Sequence, residues 1–148
     1  MFKTPALASP NLTAGVIALE VLIVSLDAIG IVSKNTALSA QFYALLGVDL
    51  SEKGGPDHFE GSTPSGVRVM LDSVSLVKKI NPTWKEPTGT AMTLCFLQAS
   101  PKAVDALFDK ILAAGFKSAK APWDAFWGQR YSSVLDPAGN QIDIFAPL

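Results

Sequence analysis

Few side chains in this sequence could do chemistry, and their positions limit which chemistry that is. There is one histidine, His58, and one cysteine, Cys95. A site needing two imidazoles from one chain is excluded, as are an intramolecular disulfide and a cysteine-rich zinc site. His58 and Glu60 alternate onto one face of a stretch that reads as a strand. Asp72 ends the next predicted strand. If the two strands are neighbours, the three residues could gather around a divalent ion. The plainer reading of a lone histidine beside a turn is a surface residue. Cys95 sits inside the apolar run Ala91 to Leu97, where a buried thiol is a small hydrophobe. No second histidine exists to activate a serine. There is no Gly-x-Ser-x-Gly elbow, no phosphate-binding glycine loop and no dinucleotide fingerprint. These absences lean away from an enzyme.

Aromatic residues offer a ligand more. Trp84, Trp123, Phe126, Trp127 and Tyr131 lie in the second half, and three of them fall between Trp123 and Trp127 in a loop bounded by Pro122 and Gly128. Such a group either plugs the end of a sheet or forms a stacking wall for a planar or apolar ligand. On the second reading Gln129, Arg130 and Asp143 supply polar contacts that fix orientation. Asp143 is otherwise a polar residue at a cleft edge, or an acceptor for Arg130 or Gln129. Arg68 is a further donor, or an outward-facing strand charge.

The elements that must position these residues follow from periodicity. Leu22 to Val32 reads as a buried strand rich in Val, Ile and Leu. Asn35 caps a helix with Leu38, Phe42 and Leu45 on one face, and Gly47 ends it. His58 to Ser62 and Val67 to Asp72 read as strands. Ser73 to Ile80 reads as a short helix or an extended crossover, stopped by Asn81-Pro82. The order then restarts: a strand at Ala91 to Leu97, and a helix capped by Ser100 with Pro101 at its first position. Val104, Leu107, Phe108, Ile111 and Leu112 form its wide apolar stripe. Short strands follow at Phe116 to Lys120, Arg130 to Leu135 and Gln141 to Ala146. The two halves begin about 70 residues apart. Each reads strand, helix, then about three strands. The expectation is an α+β fold of paired βαβββ modules, forming a curved mixed sheet around a cleft, which is the natural place for a ligand. Residues 1–20 are expected as a tail, 21–80 as the first module and 81–148 as the second.

Composition fits one domain. The chain has 148 residues, 12 basic and 13 acidic, for a net charge of −1. With no block of Lys or Arg to neutralise phosphates, nucleic acid is not an expected partner. The apolar stretch Thr13 to Val32 fails as a membrane span, because Glu20 and Asp27 would each cost about 2.5–3.5 kcal/mol near the bilayer centre. It also fails as a signal peptide, since Lys3 is its only upstream basic residue. A cytoplasmic protein without membrane contact is expected.

Four features together resemble the vicinal oxygen chelate superfamily of glyoxalase, bleomycin-resistance and dioxygenase proteins. Asn35, Phe42-Tyr43 and Leu46-Gly47 are similar to its first helix. Val104-Asp105-Ala106-Leu107 and Ala113-Ala114-Gly115 are similar to its second. Phe126-Trp127-Gly128 and the closing Asp136-Pro137-Ala138-Gly139-Asn140 with Ile142-Asp143 complete the pattern, which covers Leu22 to Leu148. The resemblance implies a glyoxalase/bleomycin-resistance fold. It implies that metal-dependent members would hold a divalent ion near Ala28, Met70, Thr93 and Asp143, with His, Glu or Gln. Only Asp143 here is of ligand type, so no metal or other cofactor is expected. The resemblance also implies aromatics placed across the cleft of a homodimer, and the long apolar first strand offers an edge that invites pairing. The leading expectation is a metal-independent binding protein that holds an apolar or aromatic small molecule in the cleft between the modules, with Trp84, Trp123, Phe126, Trp127, Gln129, Arg130 and Asp143 as ligand contacts. The alternatives are a divalent-metal lyase, isomerase or dioxygenase of the same superfamily, and a member acting only through dimer contacts.

Overall fold

The computed structural model describes residues 26–89 and 91–148. The expected tail, residues 1–20, and the start of the expected first strand lie outside them.

The first strand, β1, spans Ala28–Ser33. Helix α1, Thr36–Leu45, begins where Asn35 Oδ1 accepts from the Leu38 amide at 3.0 Å. It stops before Gly47, which takes the left-handed φ of 78° that releases the chain. Its buried face differs from the expected one. Thr36, Ser39, Phe42 and Tyr43 face inward, while Leu38 is 40% exposed. The hydroxyls can be buried because each has a partner: Ser39 bonds Ser33 at 2.7 Å, and Thr36 donates to the Pro56 carbonyl at 2.8 Å.

Strands β2 (Ser51–Glu52), β3 (His58–Ser62) and β4 (Arg68–Ser73) follow. Helix α2, Val74–Ile80, resolves the open choice at this stretch, because Ser73 Oγ accepts from the Leu76 amide at 3.0 Å and starts a helix. The second module has β5 (Leu94–Leu97), α3 (Pro101–Ala113), β6 (Lys117–Ala125), β7 (Gln129–Leu135) and β8 (Gln141–Pro147). Strand β6 is longer than expected and absorbs Trp123. Pro122 cannot donate to a ladder, but β6 is an edge strand and its register slips between Lys120 and Trp123, where the proline is accommodated.

Each module forms a four-stranded sheet, in the orders β1-β4-β3-β2 and β5-β8-β7-β6. The topology repeats: β1 runs parallel to β4 as β5 does to β8, and the remaining pairings are antiparallel. One continuous core joins the modules. It contains Ile31, Val69 and Leu71 from the first sheet, Val134, Ile142 and Ile144 from the second, and side chains of α1 and α3. Phe42 lies edge-on to Tyr43 and to Phe116, with centroids 5.3 and 5.0 Å away. Each sheet therefore spends its helix-covered face on the shared core and turns its other face away from it.

One glycine is fixed by space. A Cβ on Gly61 would stand 2.1 Å from the Asp49 carbonyl oxygen, which belongs to backbone. Gly61→Ala is expected to destabilise the chain by about 1–3 kcal/mol, the usual scale of overpacking. Urea unfolding would check this, and an unchanged midpoint would contradict it.

Candidate functional site

The open face of the second sheet collects most of the aromatic residues. Alternation along β7 and β8 sends Ser132, Val134, Ile142 and Ile144 to the core, and Tyr131, Ser133, Asp143 and Phe145 to the open face. Trp123 is the cross-strand partner of Tyr131 on β6, and Phe145 is its partner on β8. Tyr131 stacks on Phe145 at 5.9 Å and 24°. Trp127, in the β6–β7 turn, lies edge-on to Trp123 (5.2 Å), Phe126 (4.8 Å) and Tyr131 (5.5 Å). Its indole N–H donates to Gln129 Oε1 at 2.8 Å. Lys120 Nζ sits 3.5 Å from the centroid of Trp123. Trp127 is 49% exposed, Phe126 93% and Leu97 65%. A contiguous apolar patch of this kind marks a contact surface rather than scattered exposure.

Asp143 anchors the polar end. Its Oδ2 accepts from Tyr131 Oη at 2.8 Å, and its Oδ1 from Ser133 Oγ at 2.6 Å and Gln141 Nε2 at 3.0 Å. Burial first, and Asp143 second, push the Tyr131 phenol well above its ordinary range, so it stays an O–H donor. Cys95 is the β5 neighbour of Asp143 in register and is exposed, where a buried small hydrophobe was expected.

Two of the expected contacts do not join this group. Arg130 pairs with buried Ala146 and faces α3, where its Nε donates to Asp105 at 2.8 Å and its Nη1 to Asp124 at 3.0 Å. Neighbours on a strand point to opposite faces, so Gln129 and Arg130 cannot both face one ligand. Trp84 lies in the segment after α2. With Pro87, Met92 and Leu94 it lines a separate cavity of about 520 Å³ along the edge of β1. Phe145, Ser133 and Gln141 belong to the face although they were not among the expected contacts, and Tyr131, expected as a member of the aromatic group, stands at its centre. The alternation of Ile142, Ile144 and Ala146 was the available signal for Phe145.

The first sheet's open face is ionic. His58 and Asp72 are register partners, and His58 Nδ1 lies 2.6 Å from Asp72 Oδ1 while Nε2 lies 3.0 Å from Glu60 Oε1. Arg68 continues the chain, donating to Glu60 at 3.1 Å and to Asp27 at 2.6 Å. The hydrogen bond to Asp72, then that to Glu60, raises the His58 pKa above its ordinary 6.5. The hydrogen bond from His58 lowers that of Glu60. The signs fix a pH window. The contribution of His58 is complete below about pH 6.5 and is lost as pH rises through its higher folded value; that of Glu60 is lost as pH falls through its lowered one. Urea midpoints measured across this range should fall on the alkaline side in the wild type and stay flatter in His58→Asn. Parallel curves would contradict the assignment.

A family profile for the Glyoxalase/Bleomycin resistance protein/Dioxygenase superfamily matches residues 25–144. The chain belongs to this superfamily. Among solved structures it is similar to a glyoxalase/bleomycin resistance protein/dioxygenase family enzyme from Burkholderia phytofirmans PsJN, with 22% identity, a TM-score of 0.76, and 84% of this chain and 100% of that one covered. A glyoxalase/bleomycin resistance protein/dioxygenase from Nocardioides gives 24% identity and a TM-score of 0.69, covering 88% and 87%. A lactoylglutathione lyase from Agrobacterium tumefaciens gives 14% identity and a TM-score of 0.62, covering 82% and 92%. At these identities the likeness is one of fold. No curated protein matches the chain significantly.

The donor set does not fit the divalent ion that this superfamily implies. Ala28 has no donor, Met70 offers a thioether and Thr93 a hydroxyl, so Asp143 is the one carboxylate of the four. A hard divalent ion needs several oxygens or imidazoles. The His58 cluster does not substitute, because each ring nitrogen is directed to a different carboxylate. Among the described residues no group of three or more His, Cys, Asp or Glu is poised to hold a metal. None of the helices there is long and apolar enough to cross a membrane.

Proposed function

We propose that this protein binds a planar, largely apolar small molecule on the open face of its second sheet, without a metal. The observation that carries this is the row Trp123, Trp127, Tyr131 and Phe145, continuous across three strands and a turn, on the face of the sheet opposite α3, where Phe126 and Trp127 are exposed. Rigid aromatic surface of this kind binds planar groups by stacking, and the polar residues beside it fix orientation. Gln129 and Asp143 fill that second role; Phe126 extends the wall at the turn.

The cleft is completed by a second copy. In one chain the two open faces point away from a shared core, so neither closes the other. A homodimer that laid the first sheet of one copy over the second sheet of its partner would cover Leu97, Phe126 and Trp127. The divalent-metal lyase, isomerase or dioxygenase reading has no donor set to favour it.

Titration of tryptophan emission and melting temperature with a panel of planar hydrophobic compounds tests the proposal. At least one compound should quench emission saturably and raise the melting temperature. Trp127→Ala, at a half-exposed position, should weaken that compound about tenfold, the effect of losing roughly 1.4 kcal/mol of stacking. A panel that changes neither signal would overturn the reading.

A further inference from the structure

We propose that the molecule bound at this face carries a positive charge, its cationic group seated between the Asp143 carboxylate and the aromatic wall. This rests on the binding reading above and goes beyond it by naming the ligand's charge.

Charge balance is the first observation. On the first sheet's open face every carboxylate has a basic partner: Asp72 has His58, Glu60 has His58 and Arg68, and Asp27 has Arg68. On the second sheet Asp143 has none among the described residues. Tyr131, Ser133 and Gln141 are neutral donors; they satisfy oxygen lone pairs but leave the charge unbalanced. A carboxylate 8% exposed and without a counter-ion carries a field that water screens poorly. The nearest arginine in sequence, Arg130, is turned to the opposite face and held there by Asp105 and Asp124. Acceptor capacity also remains. Two of the three donors go to Oδ1, so Oδ2, bonded only to Tyr131, keeps a free lone pair.

The aromatic wall supplies the second observation. Its ring faces are the negative ends of quadrupoles, and a cation within about 6 Å of a centroid is attracted to them. Lys120 Nζ, 3.5 Å from the centroid of Trp123, already takes that ring, so the ring surface left for a ligand's cation is that of Tyr131 and Phe145. Tyr131 and Phe145 stack in the row adjoining Asp143, so one ligand can meet carboxylate and ring together. The chemical class is a planar aromatic cation, such as an amino- or amidino-substituted ring system.

Isothermal titration calorimetry with three tricyclic probes of similar size tests this: proflavine as the cation, 9-anthracenemethanol as the neutral and 9-anthracenecarboxylate as the anion. Proflavine should bind about tenfold tighter than the neutral probe. The anion should bind weakest, and the proflavine advantage should vanish in Asp143→Asn. If that variant does not fold, the wild-type series decides alone. Equal binding of cation and neutral probe would overturn the charge assignment while leaving the binding reading intact. A cation preference that survives in folded Asp143→Asn would overturn the role of Asp143. Binding by none of the probes would overturn the charge assignment, and the broader panel above would then judge the binding reading separately.

Discussion

Phe42→Ala should lower stability by about 3–5 kcal/mol, the range for removing a fully buried aromatic ring. Phe42 has no exposed surface, and its ring meets Tyr43 within its own helix and Phe116 in the other module. The substitution therefore opens a cavity where the modules join. In a domain of this size each kcal/mol moves the melting temperature about 2–4 °C, so a fall of roughly 6–20 °C is expected. Phe42→Leu should retain much of that stability by filling part of the space. A loss under about 1 kcal/mol for the alanine variant would mean that the modules do not depend on a shared core.

The second large effect is expected at Asp136. This residue is 4% exposed and accepts four hydrogen bonds: from Tyr43 Oη at 2.8 Å, from the backbone amides of Ala138 and Asn140 at 2.9 and 2.8 Å, and from Asn140 Nδ2 at 2.9 Å. It closes the β7–β8 turn and ties that turn to α1 of the other module. Burial, with Asp136 adding to it, raises the Tyr43 phenol well above its ordinary range, so its O–H remains a donor. Asp136→Ala should cost about 3 kcal/mol or more, because it strands the buried Tyr43 hydroxyl and two turn amides. A double-mutant cycle with Tyr43→Phe should give a coupling of about 1–3 kcal/mol. Additive losses would contradict a bond between the modules.

Much of this architecture is legible in the sequence because local chemistry and tertiary packing agree. The stripe on α3 and the caps at Asn35, Ser100 and Gly47 are local signals, and they position both helices. Strand β3 has the expected bounds because turns punctuate both of its ends. Other features depend on partners that a linear reading does not supply. The inner face of α1 carries Thr36 and Ser39, whose hydroxyls become acceptable in a core only through Pro56 and Ser33. Strand β6 runs through Pro122 because it is an edge with a slipped register. The run from Asp136 to Asn140 is plainly a turn, but nothing local says that Asp136 also receives Tyr43, 93 positions away.

Part of the candidate site is legible in the same way. The aromatic composition pointed to the second module, and the alternation in β8 turns Asp143 and Phe145 outward together. Arg130 was the harder residue. Gln-Arg-Tyr-Ser-Ser-Val-Leu has no clear period, so its facing follows only from the hairpin register that pairs Arg130 with Ala146. Trp84 carried no periodic signal, and its place beside β1 is set by the chain path between modules.

The central claim is binding without a metal, and one paired measurement tests it most directly. Protein would be stripped with EDTA, then dialysed in turn against zinc, nickel, manganese and iron(II). Retained metal would be measured by elemental mass spectrometry, and each sample titrated with the compound that quenched tryptophan emission. The account predicts substoichiometric metal throughout and one dissociation constant for stripped and metal-treated protein. Near-stoichiometric retention of any of these ions, with binding that appears only in its presence, would contradict it.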